Sequence, residues 1–137
     1  MSNIVAFNIS YPNSKSGLAA WNKQYSLNAY YTGKHWSVRK KDADFWHQLV
    51  HYSLCEMRAK TGQTLQMFET PVQLTFLFHD NLDCSNHAAI AKMIEDALKG
   101  VLIKDDSPKY VRSMTIGFHD EHYIRVLVEP YKPFQGV

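Results

Sequence analysis

The chain holds only two cysteines, Cys55 and Cys84. That excludes the disulfide framework of a small secreted domain and fits a reducing compartment. Five prolines and six glycines are too few for a collagen-like or low-complexity chain. No apolar run reaches the length of a membrane span, and the N-terminus carries no signal-like pattern. A cytoplasmic protein with no membrane partner is therefore expected. Glycine-rich phosphate loops, a GxSxG elbow and a redox CxxC are all missing, so no small-molecule cofactor is expected. A strong charge imbalance is missing too. Fifteen Lys and Arg stand against thirteen Asp and Glu, a net +2, which does not by itself announce a nucleic-acid partner.

What is present describes one folded domain over residues 1–137. The apolar share is 45% and the aromatic share 13%, enough for a core without staples. No internal repeat is visible. Ile4 to Ser10 reads as a largely apolar strand suited to the centre of a sheet. Residues 11–33 mix Pro, Gly, Ser and Asn without a clear period and read as a long loop. From Arg39 to about Lys60, the spacing of Phe45, Trp46, Leu49, Val50, Leu54 and Met57 predicts a helix that stops at Gly62. Val72, Leu74, Phe76 and Phe78 alternate with other residues and predict a half-buried strand. Ser85 to Lys99 reads as a second helix, with Ile90, Ile94, Ala97 and Val101 facing inward. Tyr110 to Phe118 and Tyr123 to Val128 read as strands joined by a hairpin turn at 119–122, though without the favoured Asn-Gly. Residues 130–137 read as a tail. The order predicts a mixed α/β fold, a small mixed sheet carrying two main helices.

Charge is unevenly distributed. Lys34, Arg39, Lys40 and Lys41 lie in a stretch without acids, while Asp80, Asp83, Glu95, Asp96, Asp105 and Asp106 gather downstream around Lys92, Lys99 and Lys104. A basic segment suits phosphate contacts, and clustered carboxylates suit a hard divalent cation such as Mg²⁺ or Mn²⁺. Such an ion polarises a phosphoryl oxygen and activates water. Asp80, Asp83, Asp105 and Asp106 are the candidate ligands, provided the chain after Gly100 runs back along the second helix. Plainer roles stay open for each. Asp83 or Ser85 suits a helix cap, Asp105 to Pro108 suits a turn, and Lys92 with Asp96 suits a surface ion pair. His47 and His51, four apart, read as a surface pair because no further zinc-ligand pattern accompanies them. His79, His119 and His122 all fall near strand ends, and the sequence leaves open whether they meet.

The run from Asn86 to Val111, NHAAIAKMIEDALKGVLIKDDSPKYV, resembles the core of the RusA-like endodeoxyribonucleases, Holliday junction resolvases common in phages and prophages. Lys92, Asp96-Ala97-Leu98 and Asp105-Asp106 match that family's helix lysine, Asp-Ala-Leu and Asp-Asp in order and nearly in spacing. Ser26-Leu27-Asn28, with Tyr30 and Tyr31, resembles its upstream loop. The likeness covers roughly residues 24–129. It departs from the pattern where the family reads Asp-x-Asp-Asn, since this chain has Asp83-Cys84-Ser85-Asn86, with a serine at the second acid. The spacing from Asn86 to Lys92 is also longer than usual.

The resemblance implies a homodimeric, metal-dependent endonuclease of branched DNA, encoded by a phage or prophage in a bacterial host. Asp83, Asp105, Asp106 and Lys92 would be catalytic, with Asp80 supplying the missing carboxylate. Asn28, Tyr30, Lys34, Arg39, Lys40 and Lys41 would contact the DNA, and Trp36 would be a core or dimer contact. The alternative is a non-catalytic DNA-binding or replication-accessory protein that keeps the fold.

Overall fold

The structure, a computed structural model, describes residues 3–134. A four-stranded mixed sheet is formed by β1 (Val5–Ser10), β2 (Val72–Phe78), β3 (Val111–Phe118) and β4 (Tyr123–Pro130), in the spatial order β1-β4-β2-β3. β4 runs antiparallel to both β1 and β2, and β3 runs parallel to β2. The helices are α1 (Lys15–Tyr25), α2 (Leu27–Tyr31), α3 (Trp36–Thr61) and α4 (Ala88–Leu98), with a 3₁₀ turn at Cys84–His87 before α4. No described helix is long and apolar enough to cross a membrane.

Alternation along the strands makes the core. Val5, Phe7 and Ile9 of β1, Val72, Leu74, Phe76 and Phe78 of β2, and Ile124, Val126 and Val128 of β4 are all buried. Register puts them on one face, since Leu74 pairs with Val128, Phe76 with Val126, and Phe7 with Val126 across β4. Each such side chain contributes about 1.5–3 kcal/mol on removal from water. Trp46, Val50, Leu54 and Met57 of α3 and Ile90, Ile94, Ala97 and Leu98 of α4 close the core at helical spacing.

Several expectations change. Residues 11–33 are two helices and their joints, not a long loop. Ser14 caps α1 by accepting from the Gly17 N–H, and Ser26 caps α2 by accepting from Ala29. α1 exists because Trp21 and Tyr25, four residues apart, are buried edge-on against Trp46, with the two indole centroids 4.9 Å apart. Two anchors in a polar segment leave little periodic signal. α3 starts earlier than Arg39, at Trp36, because His35 accepts from the Ser37 N–H, and it ends on left-handed Gly62 as expected.

β1 lies at an edge of the sheet rather than at its centre. The 119–122 turn is no hairpin between neighbours, because β2 lies between β3 and β4. The parallel β2–α4–β3 unit takes β3 to the far side of β2, and the turn crosses the end of β2, where the His119 N–H donates to the Phe78 carbonyl. Pro130 belongs to β4, and residues 135–137 of the expected tail lie outside the described residues. Trp36 is 71% exposed, which excludes a core role.

Candidate functional site

α4 carries Lys92, Glu95 and Asp96 at i, i+3 and i+4, so they share one helical face, and Lys99 follows as the extended residue that ends the helix. Beyond Leu98, Gly100 takes φ +80° and its N–H donates to the Ile103 carbonyl at 2.7 Å. Leu102 and Ile103 are buried, which anchors this reversal. The chain therefore returns along the helix and delivers Asp106 to Lys92. The Lys92 ammonium donates to Asp106 Oδ2 at 2.5 Å, and Lys99 reaches the same oxygen at 3.0 Å. Oxygens of Glu95, Asp96 and Asp106 all lie within 4.8 Å of one another, the donor arrangement of a potential metal site.

The electrostatics follow from the contacts. Hydrogen bonds from Lys92 and Lys99 hold the Asp106 carboxyl well below the usual carboxylate range. Burial works against the charge of Lys92, but Asp106 and Asp96 outweigh it and raise its ammonium above the ordinary lysine range. These carboxylates therefore favour the charged form of Lys92. Glu95 is 7% exposed, and burial raises its carboxyl despite the nearby Lys92.

The other expected ligands do not join this group. Asp80 is turned inward, its side chain 1% exposed. It accepts from His87 Nε2 at 2.8 Å, the Tyr11 hydroxyl at 2.9 Å and the Leu82 N–H at 3.0 Å. Burial raises its carboxyl, but His87, Leu82 and Tyr11 outweigh that and leave it lowered. His87 itself is fully buried and stacks on Phe78 at 4.0 Å. Asp80 is thus fully engaged inside the fold. Asp105 is exposed on the return segment. Asp83 is exposed at the start of the 3₁₀ turn, and its side chain makes no capping hydrogen bond, so the capping role is not realised.

The basic segment is less uniform than its sequence suggests. Lys34 is not an unpaired cation. Its ammonium meets Asp42 at 2.5 Å, with side chains 12% and 2% exposed. Asp42 also accepts from Gln24 and from the Tyr30 hydroxyl, which makes it the hub joining α1, α2 and α3. Burial, aided by the Asp42 charge, pushes the Tyr25 phenol up to about 12. Arg39 Nε donates to the Lys34 carbonyl, Lys40 pairs with Asp44, and Lys41 is exposed. The Asn28 N–H donates to Asn86 Oδ1 at 3.2 Å, fastening α2 to the turn that follows Asp83. His51 donates to the Ala97 carbonyl, and its ring lies 4.1 Å from that of His47 on the same face of α3. Glu95 and Lys99 join the site without having been expected there; the helical spacing of Glu95 from Lys92 was a usable signal, whereas Lys99 arrives from the end of the helix.

No family model, curated protein or solved structure matches this chain.

Proposed function

We propose that this protein is a metal-dependent endonuclease of branched DNA, a homodimeric resolvase of the RusA type using Mg²⁺ or Mn²⁺. The observation that carries the reading is the meeting of Lys92 with Asp106 beside Glu95 and Asp96. The family resemblance joins the same lysine and the same Asp-Asp through residues fourteen apart in sequence. Three carboxylates give an all-oxygen donor set, which fits a hard divalent ion. Glu95, Asp96 and Asp106 would hold the ion. When bound, it would polarise the scissile phosphoryl group and activate water. Lys92, whose charged form the neighbouring carboxylates favour, would pair with a phosphate oxygen and stabilise its developing charge. Lys99 keeps Asp106 ionised.

A second reading is favoured by Ser85, which stands where the resemblance calls for an acid, and by the two lysines that already neutralise Asp106. It is a DNA-binding protein that keeps the fold without the activity.

Cleavage of a synthetic four-way junction with Mg²⁺, against linear duplex, decides between them. The wild type is expected to make paired cuts. Asp106→Asn should cut at least about 100-fold more slowly, the scale set by removing one group that stabilises the transition state, while binding the junction as well or better. Binding without cutting by the wild type supports the second reading, and unchanged cutting by the variant makes Asp106 a turn residue.

A further inference from the structure

A cleft of about 840 Å³ opens where β2 and β3 finish. Its walls include His79, His119, Asp120 and His122 from the strand ends and Lys15 and Asn22 from α1. None of these belongs to the Lys92–Asp106 group. His79 and His122, far apart in sequence, meet because the 119–122 turn crosses the end of β2.

Their hydrogen bonds define what they offer. His79 Nδ1 lies 2.9 Å from the His119 carbonyl, and His119 Nε2 lies 2.6 Å from the Tyr123 carbonyl. A carbonyl oxygen only accepts, so each facing nitrogen carries the N–H. In the neutral ring the lone pair is then on the opposite nitrogen, Nε2 of His79 and Nδ1 of His119. A backbone carbonyl fixing one imidazole nitrogen while the other stays available is the arrangement that orients metal-ligating histidines. The His122 ring stands edge-to-face with His79, their centroids 4.2 Å apart.

We infer that His79 and His122 form a site for a borderline divalent transition-metal ion of the zinc class, with its remaining positions open to the cleft. Imidazole nitrogens suit Zn²⁺, Ni²⁺ and Cu²⁺ better than Mg²⁺. The site is thus chemically distinct from the carboxylate group on α4. The oxygens and nitrogens of three protein ligands are not gathered here as tightly as in that group. Two histidines with water completing the shell therefore describe the site, and Asp120 and His119 stand nearby as further donors.

The test is titration of the full chain with Zn²⁺ by calorimetry and with Co²⁺ by visible absorption. The wild type should bind one equivalent. His122→Ala, which replaces an exposed residue, should fold normally and lose at least about tenfold in affinity, the scale on which even supporting groups of metal sites act. His79→Ala should do the same, with its melting temperature recorded because the ring also holds the His119 carbonyl. Asp106→Asn should bind the ion as the wild type does, and this separates the site from the proposed nuclease centre. Wild-type affinity in His122→Ala overturns the proposal. So does loss of binding in Asp106→Asn alone, or a sulfur-to-cobalt charge-transfer band, which would put the ion on Cys55 or Cys84.

Discussion

Asp80 shows how one residue's role is decided by what surrounds it. Its sequence position, at a strand end among other acids, suits a metal ligand. In the fold its oxygens accept from His87, Tyr11 and Leu82 inside the protein. Its carboxyl titrates below the ordinary range, so these hydrogen bonds contribute stability above the unfolded carboxylate range. That contribution is lost as pH falls through the lowered folded value. Glu95 behaves oppositely. Its raised carboxyl favours the fold most when protonated, and this contribution is lost as pH rises through the raised value. Asp80→Ala should destabilise by about 1–3 kcal/mol, the cost of leaving buried hydrogen-bonding groups unsatisfied. It should also flatten the acid limb of stability against pH, measured by urea midpoints between about pH 3 and pH 7. An unchanged limb would show that acid sensitivity arises at other carboxylates.

The basic segment that leads into α3 divides its cations between two tasks. Lys34 neutralises buried Asp42, whereas Arg39, Lys40 and Lys41 lie on the helix surface, with Lys40 held only by the exposed Asp44. Replacing Arg39, Lys40 and Lys41 together with Ala should leave the melting temperature nearly unchanged, since Ala favours helix. Junction binding should weaken for all sequences alike. The slope of log affinity against log salt should fall by about 0.9 for each phosphate no longer neutralised. Lys34→Ala should instead lower stability, because it strands the Asp42 carboxylate. Equal salt slopes in the triple variant and the wild type would place the DNA path elsewhere, along Lys104, Lys109 and Arg112. The segment's basic character was legible from its sequence. Its division was not, because Asp42 lies just beyond the stretch that looked free of acids, and only the folded helix turns it toward Lys34.

At the scale of the molecule, β3 is the feature that bears on the proposed dimer. It is a sheet edge with Arg112, Ser113, Met114 and Thr115 exposed in succession, and it has neither proline nor an inward charge to block pairing. The Ile116 carbonyl accepts from Cys84 Sγ, so Ile116 turns its backbone away from β2. Alternation gives Met114 the same outward orientation. An antiparallel pairing of β3 with its own copy at Met114 would use the outward backbone groups of Met114, displace the Cys84 contact at Ile116, and place two sites around a two-fold axis. Met114→Pro removes an outward N–H that the fold does not use, so the chain should fold and run as a monomer in light scattering behind a sizing column. A Met114→Pro dimer would place the interface on another surface.

The sequence by itself determined the elements whose signal is periodic and local. These are the alternation of β2, the helical spacing in α3 and α4, and the glycine stop at Gly62. It also brought Lys92, Asp96 and Asp106 to notice through their order. Partners distant along the chain decided the rest. α1 forms because Trp21 and Tyr25 find Trp46, and β2 separates β3 from β4 because the parallel unit through α4 carries β3 past it. The same long-range packing turns Asp80 and Lys34 inward while it brings Asp106 to Lys92 and His122 to His79. A charged or imidazole side chain has the same chemistry in every copy of a sequence pattern. Whether it meets water, a metal or a buried counter-charge depends on which distant segment packs against it, and periodicity carries no record of that.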